Sequence, residues 1–230
     1  MQFFTKSWYH AMQSPIYGSA LESDPQAEHF SEAYYRKLYR EEKAKWATEL
    51  AKFSIPLEMC QFDAVFRSRK EALLSSLPQY ILDEVADIRV LALHHCSQTV
   101  KEMITFFNAE CERAIKEYTE YERSQFADNR PTFLDDFVLH DCLATSFRKK
   151  GNDYHLLFSS DMNSNMHGIK RVIFKKATVL QKEKQLSGAW WLYEEVHKTE
   201  DGYEIGVLFD KKDVFEFSIK CNDIILEFME

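Results

Sequence analysis

The chain has 230 residues, 45% of them hydrophobic, and its 18 Phe and 11 Tyr are enough to build a sizeable core. Its formal net charge is −8, and Lys and Arg are not clustered in either half, which argues against nucleic acid as a partner. There is no apolar run of about 18 residues and no signal-peptide pattern, so we expect a cytoplasmic protein without a membrane span.

The cysteines point to the same compartment. The chain has five, at positions 60, 96, 111, 142 and 221, an odd number without a CxxC pair. Such usage is typical of a reducing environment, in which cysteine acts as a small apolar residue. We therefore expect Cys60, Cys96, Cys111, Cys142 and Cys221 to be buried thiols.

The first 130 residues predict helices, because they contain one glycine and long stretches rich in Glu, Lys, Ala and Leu. Asp24-Pro25 is typical of a helix start and Ile55-Pro56 of a helix end. Pro78 and Ser97 favour two further starts. The predicted helices cover about residues 24–54, 63–75, 78–86 and 97–125.

After the linker ADNRP, at residues 127–131, the hydrophobic period changes from helical to two, which indicates half-buried strands. We predict about seven strands, near residues 142–149, 153–159, 169–176, 189–198, 203–209, 213–220 and 223–228. Short connections, above all Asp201-Gly202, favour an antiparallel meander. The expected fold is α+β, with a helical region at 1–130 and an antiparallel β domain at 131–230.

The stretch DDFVLHDC, residues 135–142, concentrates acidic residues, a histidine and a cysteine. Residues 132–135 (TFLD) fit a capping box, so we predict one short helical turn, after which His140-Asp141 begins the first strand. Adjacent strand residues point to opposite faces, so His140 and Asp141 would not converge on one ligand. The alternative is a catalytic or ligand site of Asp136, His140 and Asp141 in a cleft between the two halves.

We interpret the other polar clusters of the sequence as structural and not as ligand or catalytic sites. Adjacent helical residues lie about 100° apart, so His94 and His95 would rarely bind one metal ion. Asp87 and Arg89 predict a local ion pair or a helix-end contact. Nucleotide-binding, nucleophile-elbow, zinc-protease and EF-hand patterns are absent from the sequence. We therefore expect no cofactor and no metal, and we lean against an enzyme.

GAWWLYEE, residues 188–195, is the stretch most like a recognition surface. On a regular strand Trp190, Leu192 and Glu194 would share one face, and Trp191, Tyr193 and Glu195 the other. Tryptophan and tyrosine supply much of the binding energy at protein interfaces, and glutamates favour a basic partner. We predict a protein-binding site of Trp190, Trp191, Tyr193, Glu194 and Glu195; the alternative is packing between the two halves.

Three segments carry a family resemblance: FFTKSWYHAMQ, ILDEVADIRVLAL and LSGAWWLYEEVHKTEDGYEIGVLFD. Together they resemble a family of bacterial proteins described as domain of unknown function 4085, typical of bacilli and related Gram-positive bacteria. The resemblance covers the whole chain and implies a bacterial cytoplasmic protein, but it assigns no activity. It also implies a glycine where His94 or His95 stands, which argues against a special role for these histidines.

Leu139-His140-Asp141 begins a region that also resembles β-rich domains found among immunity proteins of polymorphic toxins. This resemblance implies a small, acidic partner of a basic toxin. We therefore expect a non-catalytic protein-binding module, and the sharper hypothesis is that it neutralises such a toxin. The alternative is an enzyme or small-ligand or metal binder near His140 and Asp141. The oligomeric state stays open.

Overall fold

The structure is a computed structural model and describes residues 1–53, 61–161, 165 and 168–229. Contacts divide the chain into two compact units. The helical unit comprises Tyr9–Glu112, and the β unit comprises Met1–Trp8 with Arg113–Glu230. Helix α6 contributes residues to both units. The boundary between the units therefore lies inside this helix, whereas the change from helices to strands comes later in the chain. The predicted domain limits of 1–130 and 131–230 stay a prediction.

The region up to residue 125 is mainly helical. Its helices are α1 (Lys6–Met12), a 3₁₀ helix (Pro25–Glu28), α2 (Glu32–Lys52), α3 (Phe62–Ser76), α4 (Gln79–Leu82), α5 (Ile88–Leu91) and α6 (Gln98–Gln125). Two short strands, β1 (Glu22–Ser23) and β2 (His95–Cys96), pair in parallel. In the described part of the chain no helix has the length and apolar character to cross a membrane.

Capping side chains explain where these helices begin. Asp24 accepts a hydrogen bond from the backbone of Gln26, but the helix that follows is only a 3₁₀ turn, and α2 begins after Ser31, which caps it. The prediction of one helix from residue 24 is therefore wrong, because His29 is extended. The predicted end at Ile55-Pro56 lies outside the described residues. Ser97 caps α6 through the backbone N–H of Val100, as predicted.

The middle of this region contains the short helices α4 and α5. The helix from Pro78 is shorter than predicted, because α4 ends at Leu82. Asp87 caps α5 and forms an ion pair with Arg89 at 2.8 Å, which confirms the predicted local contact. The buried core of the helical unit includes Leu73, Ile81, Leu91, Val100 and Ile104.

The C-terminal region is an antiparallel sheet that follows the short helix α7 (Phe133–Asp136). Within the described residues the sheet has eight strands, one more than predicted. The missed strand is β6; its side chains are mostly exposed, so it lacks the alternation that marks the others. The strands are β3 (Cys142–Lys150), β4 (Asp153–Phe158), β5 (Ile169–Lys175), β6 (Thr178–Lys182), β7 (Ala189–Thr199), β8 (Gly202–Asp210), β9 (Val214–Cys221) and β10 (Asp223–Phe228).

The strand order is β10-β5-β4-β3-β7-β8-β9-β6. The runs β3-β4-β5 and β7-β8-β9 are meanders, whereas β6 and β10 each cross to the far end of the other run. The two four-stranded halves are joined where residues 142–144 of β3 pair with residues 189–191 of β7. Side chains of both halves form one core, with ring centroids 5.3 Å apart for Phe147 and Phe217. The predicted α+β fold, with helices first and an antiparallel sheet second, is confirmed.

Among the described cysteines, Cys96, Cys111, Cys142 and Cys221 are buried thiols, as predicted. Burial raises the pKa of each thiol, to about 11 for Cys142. A raised pKa keeps these groups protonated and unreactive near neutral pH. Cys60 lies outside the described residues.

We expect any side chain at Gly202, in the turn after β7, to lower the free energy of unfolding. Its φ is +147°, and a Cβ atom would lie 2.2 Å from the backbone oxygen of Cys221. Gly151→Ala is the matched control, because Gly151 also has positive φ but open space around it. Urea unfolding should show a loss of about 3 kcal/mol for Gly202→Ala and about 1 kcal/mol for Gly151→Ala. Equal losses would contradict this description of the turn.

Candidate functional site

Strand β7 contains a β-bulge that changes which side chains share a face. Trp191 pairs with Phe209 and Tyr193 pairs with Leu208, so Leu192 is an extra residue. Trp191 and Glu194 consequently lie on one face, and the indole Nε1 donates a 2.6 Å hydrogen bond to the Glu194 carboxylate. The predicted alternation, with these two residues on opposite faces, is wrong because a bulge interrupts the period of two.

The inner face of β7 belongs to the core of the β unit. Trp191 is fully buried, and its ring centroid lies 5.3 Å from that of Phe209 and 5.7 Å from that of Phe137. Glu194 is half-buried beside it. Burial raises the pKa of Glu194 to about 7; the charge of Glu122 adds to this effect, and the hydrogen bond from Trp191 opposes it. Glu194 therefore titrates near neutral pH.

The outer face of β7 is largely covered by the N-terminal segment. The Tyr193 ring lies 4.9 Å from Trp8 and 5.7 Å from Phe4, measured between centroids. Next to it, the buried carboxylate of Glu195 accepts hydrogen bonds from the backbone N–H groups of Gln2, Phe3 and Phe4 at 2.8, 2.7 and 2.6 Å. One carboxylate thus holds three successive peptide groups.

His197 supplies a fourth contact to Glu195, at 3.1 Å from Nε2. Burial alone would raise the pKa of Glu195, but the hydrogen bonds from His197 and the three backbone groups outweigh burial and lower it. The ionised form is therefore favoured in the folded chain. Its stabilising effect is complete above the unfolded-state pKa of about 4.3 and is lost as pH falls through the lower folded-state pKa.

The edge of β7 beyond Trp191 is completed by side chains of α6. Val196 donates its backbone N–H to the Tyr118 hydroxyl at 2.8 Å, and Lys198 donates to the Gln125 amide oxygen at 2.7 Å. The Gln125 amide nitrogen donates in turn to the Val196 carbonyl at 3.4 Å. These contacts take the place of a neighbouring strand.

Of the predicted binding residues, Trp190 is the one most open to solvent, with 36% of its surface exposed. Tyr193 and Glu194 are half-buried, whereas Trp191 and Glu195 are interior. The five side chains therefore do not form one exposed face. Their role in binding stays a prediction.

We define the Trp190 surface as Trp190, Tyr193, His140, Asp141 and Asp210. Trp190 pairs directly with Asp210 across the ladder, so their side chains share the outer face. Asp141 donates its backbone N–H to the Trp191 carbonyl at 2.8 Å, and the His140 ring lies 5.0 Å from Tyr193. Sequence analysis did not identify Asp210. Residues counted outward from the turn between β7 and β8, without the bulge, would pair Trp190 with residue 211 instead.

The predicted alternative site is a surface turn. His140 and Asp141 precede β3, which begins at Cys142, and Asp141 has a φ of +62°. This conformation brings the carboxylate to 3.1 Å from His140 Nδ1, so the prediction that they point apart is wrong. Asp136 ends α7 and is exposed. The capping box is also wrong, because the Thr132 side chain makes no capping hydrogen bond.

No group of three or more His, Cys, Asp or Glu side chains within the described ranges is arranged to hold a metal ion. His95 lies 3.8 Å from Glu22 and 3.9 Å from Glu42, whereas His94 is in the left-handed region, with a φ of +65°. The role of Asp136, His140 and Asp141 as a ligand or catalytic site stays a prediction.

The raised pKa of Glu194 predicts a pH-dependent stability. Between the unfolded-state pKa near 4.3 and the folded-state pKa of about 7, unfolding releases a proton, so the folded chain loses stability as pH rises. Glu194→Gln keeps an acceptor for Trp191 but carries no charge. Urea unfolding should show the variant more stable than the unmodified chain by roughly 1–3 kcal/mol near pH 8, with little difference near pH 4.5.

Glu200→Gln, in the exposed turn of the same hairpin, is the control and should have no comparable effect. A difference for Glu194→Gln that is equal at both pH values would contradict the assigned pKa.

Comparison with known proteins gives one family. The family model described as "Protein of unknown function (DUF4085)" matches residues 28–221, which is most of the chain. This match includes α2 to α7 and β3 to β9. No curated protein matches the chain. The chain therefore belongs to the DUF4085 family.

Proposed function

We propose that the chain is a non-catalytic protein-binding module that recognises a basic partner through the Trp190 surface. The observation that supports the proposal most is an exposed tryptophan on a rigid strand, paired with a carboxylate. Aromatic anchors of this kind supply much of the energy at interfaces, whereas isolated exposed apolar residues are ordinary.

The charges around Trp190 favour a basic partner. Asp141 has 71% of its side chain exposed, and Asp210 is directly opposite Trp190. The neighbouring cation Lys211 donates a hydrogen bond to the Ser187 carbonyl, which directs its ammonium to the protein's own backbone. The net charge of −8 would accelerate encounter with a positively charged protein.

The interior members of the predicted site act as supports in this proposal. Trp191 fixes β7 on the core, and Glu195 holds the N-terminal segment that packs beside Tyr193. Glu194 holds the Trp191 indole. The rigidity of these contacts lowers the entropy cost of binding, because the anchor is already ordered.

The sharper form of the proposal is neutralisation of a basic toxin by a cytoplasmic immunity-like protein. It is supported by the acidic charge and by an aromatic anchor on the β unit. A second candidate, a small-ligand site or enzyme at His140 and Asp141, is supported by their 3.1 Å contact. Asp136 would be the third residue of that site.

We expect Trp190→Ala to weaken capture of the partner by at least about tenfold, because a buried anchor contributes 2 kcal/mol or more. Affinity purification from the lysate of the native cells, read by mass spectrometry, gives the partner, and titration then gives the affinity. Ile225→Ala is the matched control, since Ile225 is exposed to 42% on β10.

Loss of a basic partner by Trp190→Ala alone would support the proposal. Equal capture by the unmodified chain and Trp190→Ala would contradict it. A partner lost by His140→Ala but kept by Trp190→Ala would contradict the role of Trp190 as the anchor of this surface.

A further inference from the structure

The helical unit contains a cleft of about 220 Å³ between α2, α3 and the turn before β2. Its walls include Trp46, Phe62, Arg69 and His94. Pockets for drug-sized ligands measure roughly 300–1,000 Å³, so this cleft suits a molecule with a single ring. All its lining residues belong to the helical unit.

Arg69 is the residue that most strongly indicates a ligand. Its guanidinium is half-buried, and Nη1 donates a 3.2 Å hydrogen bond to the Ala92 carbonyl. Among the described residues it has no carboxylate within ion-pair distance, and burial lowers its pKa, with the more distant Glu42 opposing this effect. A partly buried cation without a direct partner is unfavourable, so an anion beside it would be stabilising.

The acidic residues of the cleft have other cationic partners. Glu42 accepts a hydrogen bond from Lys45 at 2.6 Å. Glu49 pairs with Lys52 at 2.5 Å. Because these carboxylates have closer cationic partners, Arg69 is left without a direct ion pair among the described residues, and a ligand with one negative charge would complement it.

The ring contacts of the cleft favour a planar ligand. Phe62 and Trp46 meet edge to face with centroids 6.1 Å apart, and Phe62 stacks on Phe66 at an interplanar angle of 9°. This network fixes the Phe62 ring at the wall. An aromatic ring bound there gains both apolar burial and favourable ring contacts.

His94 adds a polar group on the same side as Arg69. Its backbone is in the left-handed region, an uncommon conformation for a residue other than glycine, and it directs a half-buried imidazole to the cleft. Burial and the neighbouring charge of Arg69 lower the pKa of His94, so the ring is neutral near pH 7 and can donate one hydrogen bond.

We propose that this cleft binds a small aromatic carboxylate. Arg69 pairs with the carboxylate through its guanidinium, the form of recognition to which its planar geometry is suited. His94 donates a hydrogen bond to a carboxylate oxygen, and the ring lies against Phe62 and Trp46. This site is distinct from the Trp190 surface and does not depend on its function.

Ligand-observed NMR titration with benzoate tests the proposal, with the neutral amide benzamide as the ligand control. Benzoate should bind saturably with a Kd on the order of 1 mM, a value reasonable for so few atoms. Benzamide should bind at least about tenfold more weakly, because it cannot form the charged pair with Arg69. This comparison uses the unmodified chain and needs no variant.

Two arginine variants locate the site. Arg69→Gln should weaken benzoate binding at least about tenfold. Arg67→Gln removes the same charge from an exposed position on α3 and should change binding less than about twofold. Absence of saturable binding, equal binding of benzamide, or equal losses in the two variants would each overturn the proposal.

Discussion

The β unit depends on one constraint, which is that β7 has a full strand partner on one side only. It pairs with β8 from Trp190 to Thr199, apart from the bulge residue Leu192, but with β3 through residues 189–191 alone. Backbone groups left without partners in a protein interior are costly, so the remaining edge needs other donors and acceptors. Tyr118 and Gln125 of α6 supply them, and Glu195 attaches the N-terminal segment to the outer face.

The bulge at Leu192 determines what each face of β7 can do. It places Trp191 and Glu194 together on the core side, where burial shifts the carboxyl pKa towards neutral. Trp190 precedes the bulge and lies on the outer face, with 36% of its surface exposed. Ordinary strand alternation already places Trp190 and Trp191 on opposite faces, and the inserted residue decides which face the two glutamates after it take.

Sequence reasoning succeeded where local periodicity decides the outcome, as in seven strands, helix α6 and the Asp87–Arg89 contact. It failed where a local rule is broken or a partner is distant in sequence. The bulge put Trp191 and Glu194 on one face instead of two, and a positive φ at Asp141 brought His140 and Asp141 together. The three backbone groups that donate to Glu195 lie more than 190 positions away, so no pattern around GAWWLYEE reveals them.

Glu195 holds the N-terminal segment on β7 through the backbone N–H groups of Gln2, Phe3 and Phe4. Hydrogen exchange of the Phe3 and Phe4 amides, measured by NMR in the unmodified chain and in Glu195→Gln, tests it most directly. Hydrogen bonds to a charged group contribute about 1.5–3 kcal/mol, so exchange should accelerate at least about tenfold in the variant, while amides of β8 stay protected. Unchanged exchange at Phe3 and Phe4 would contradict the claim.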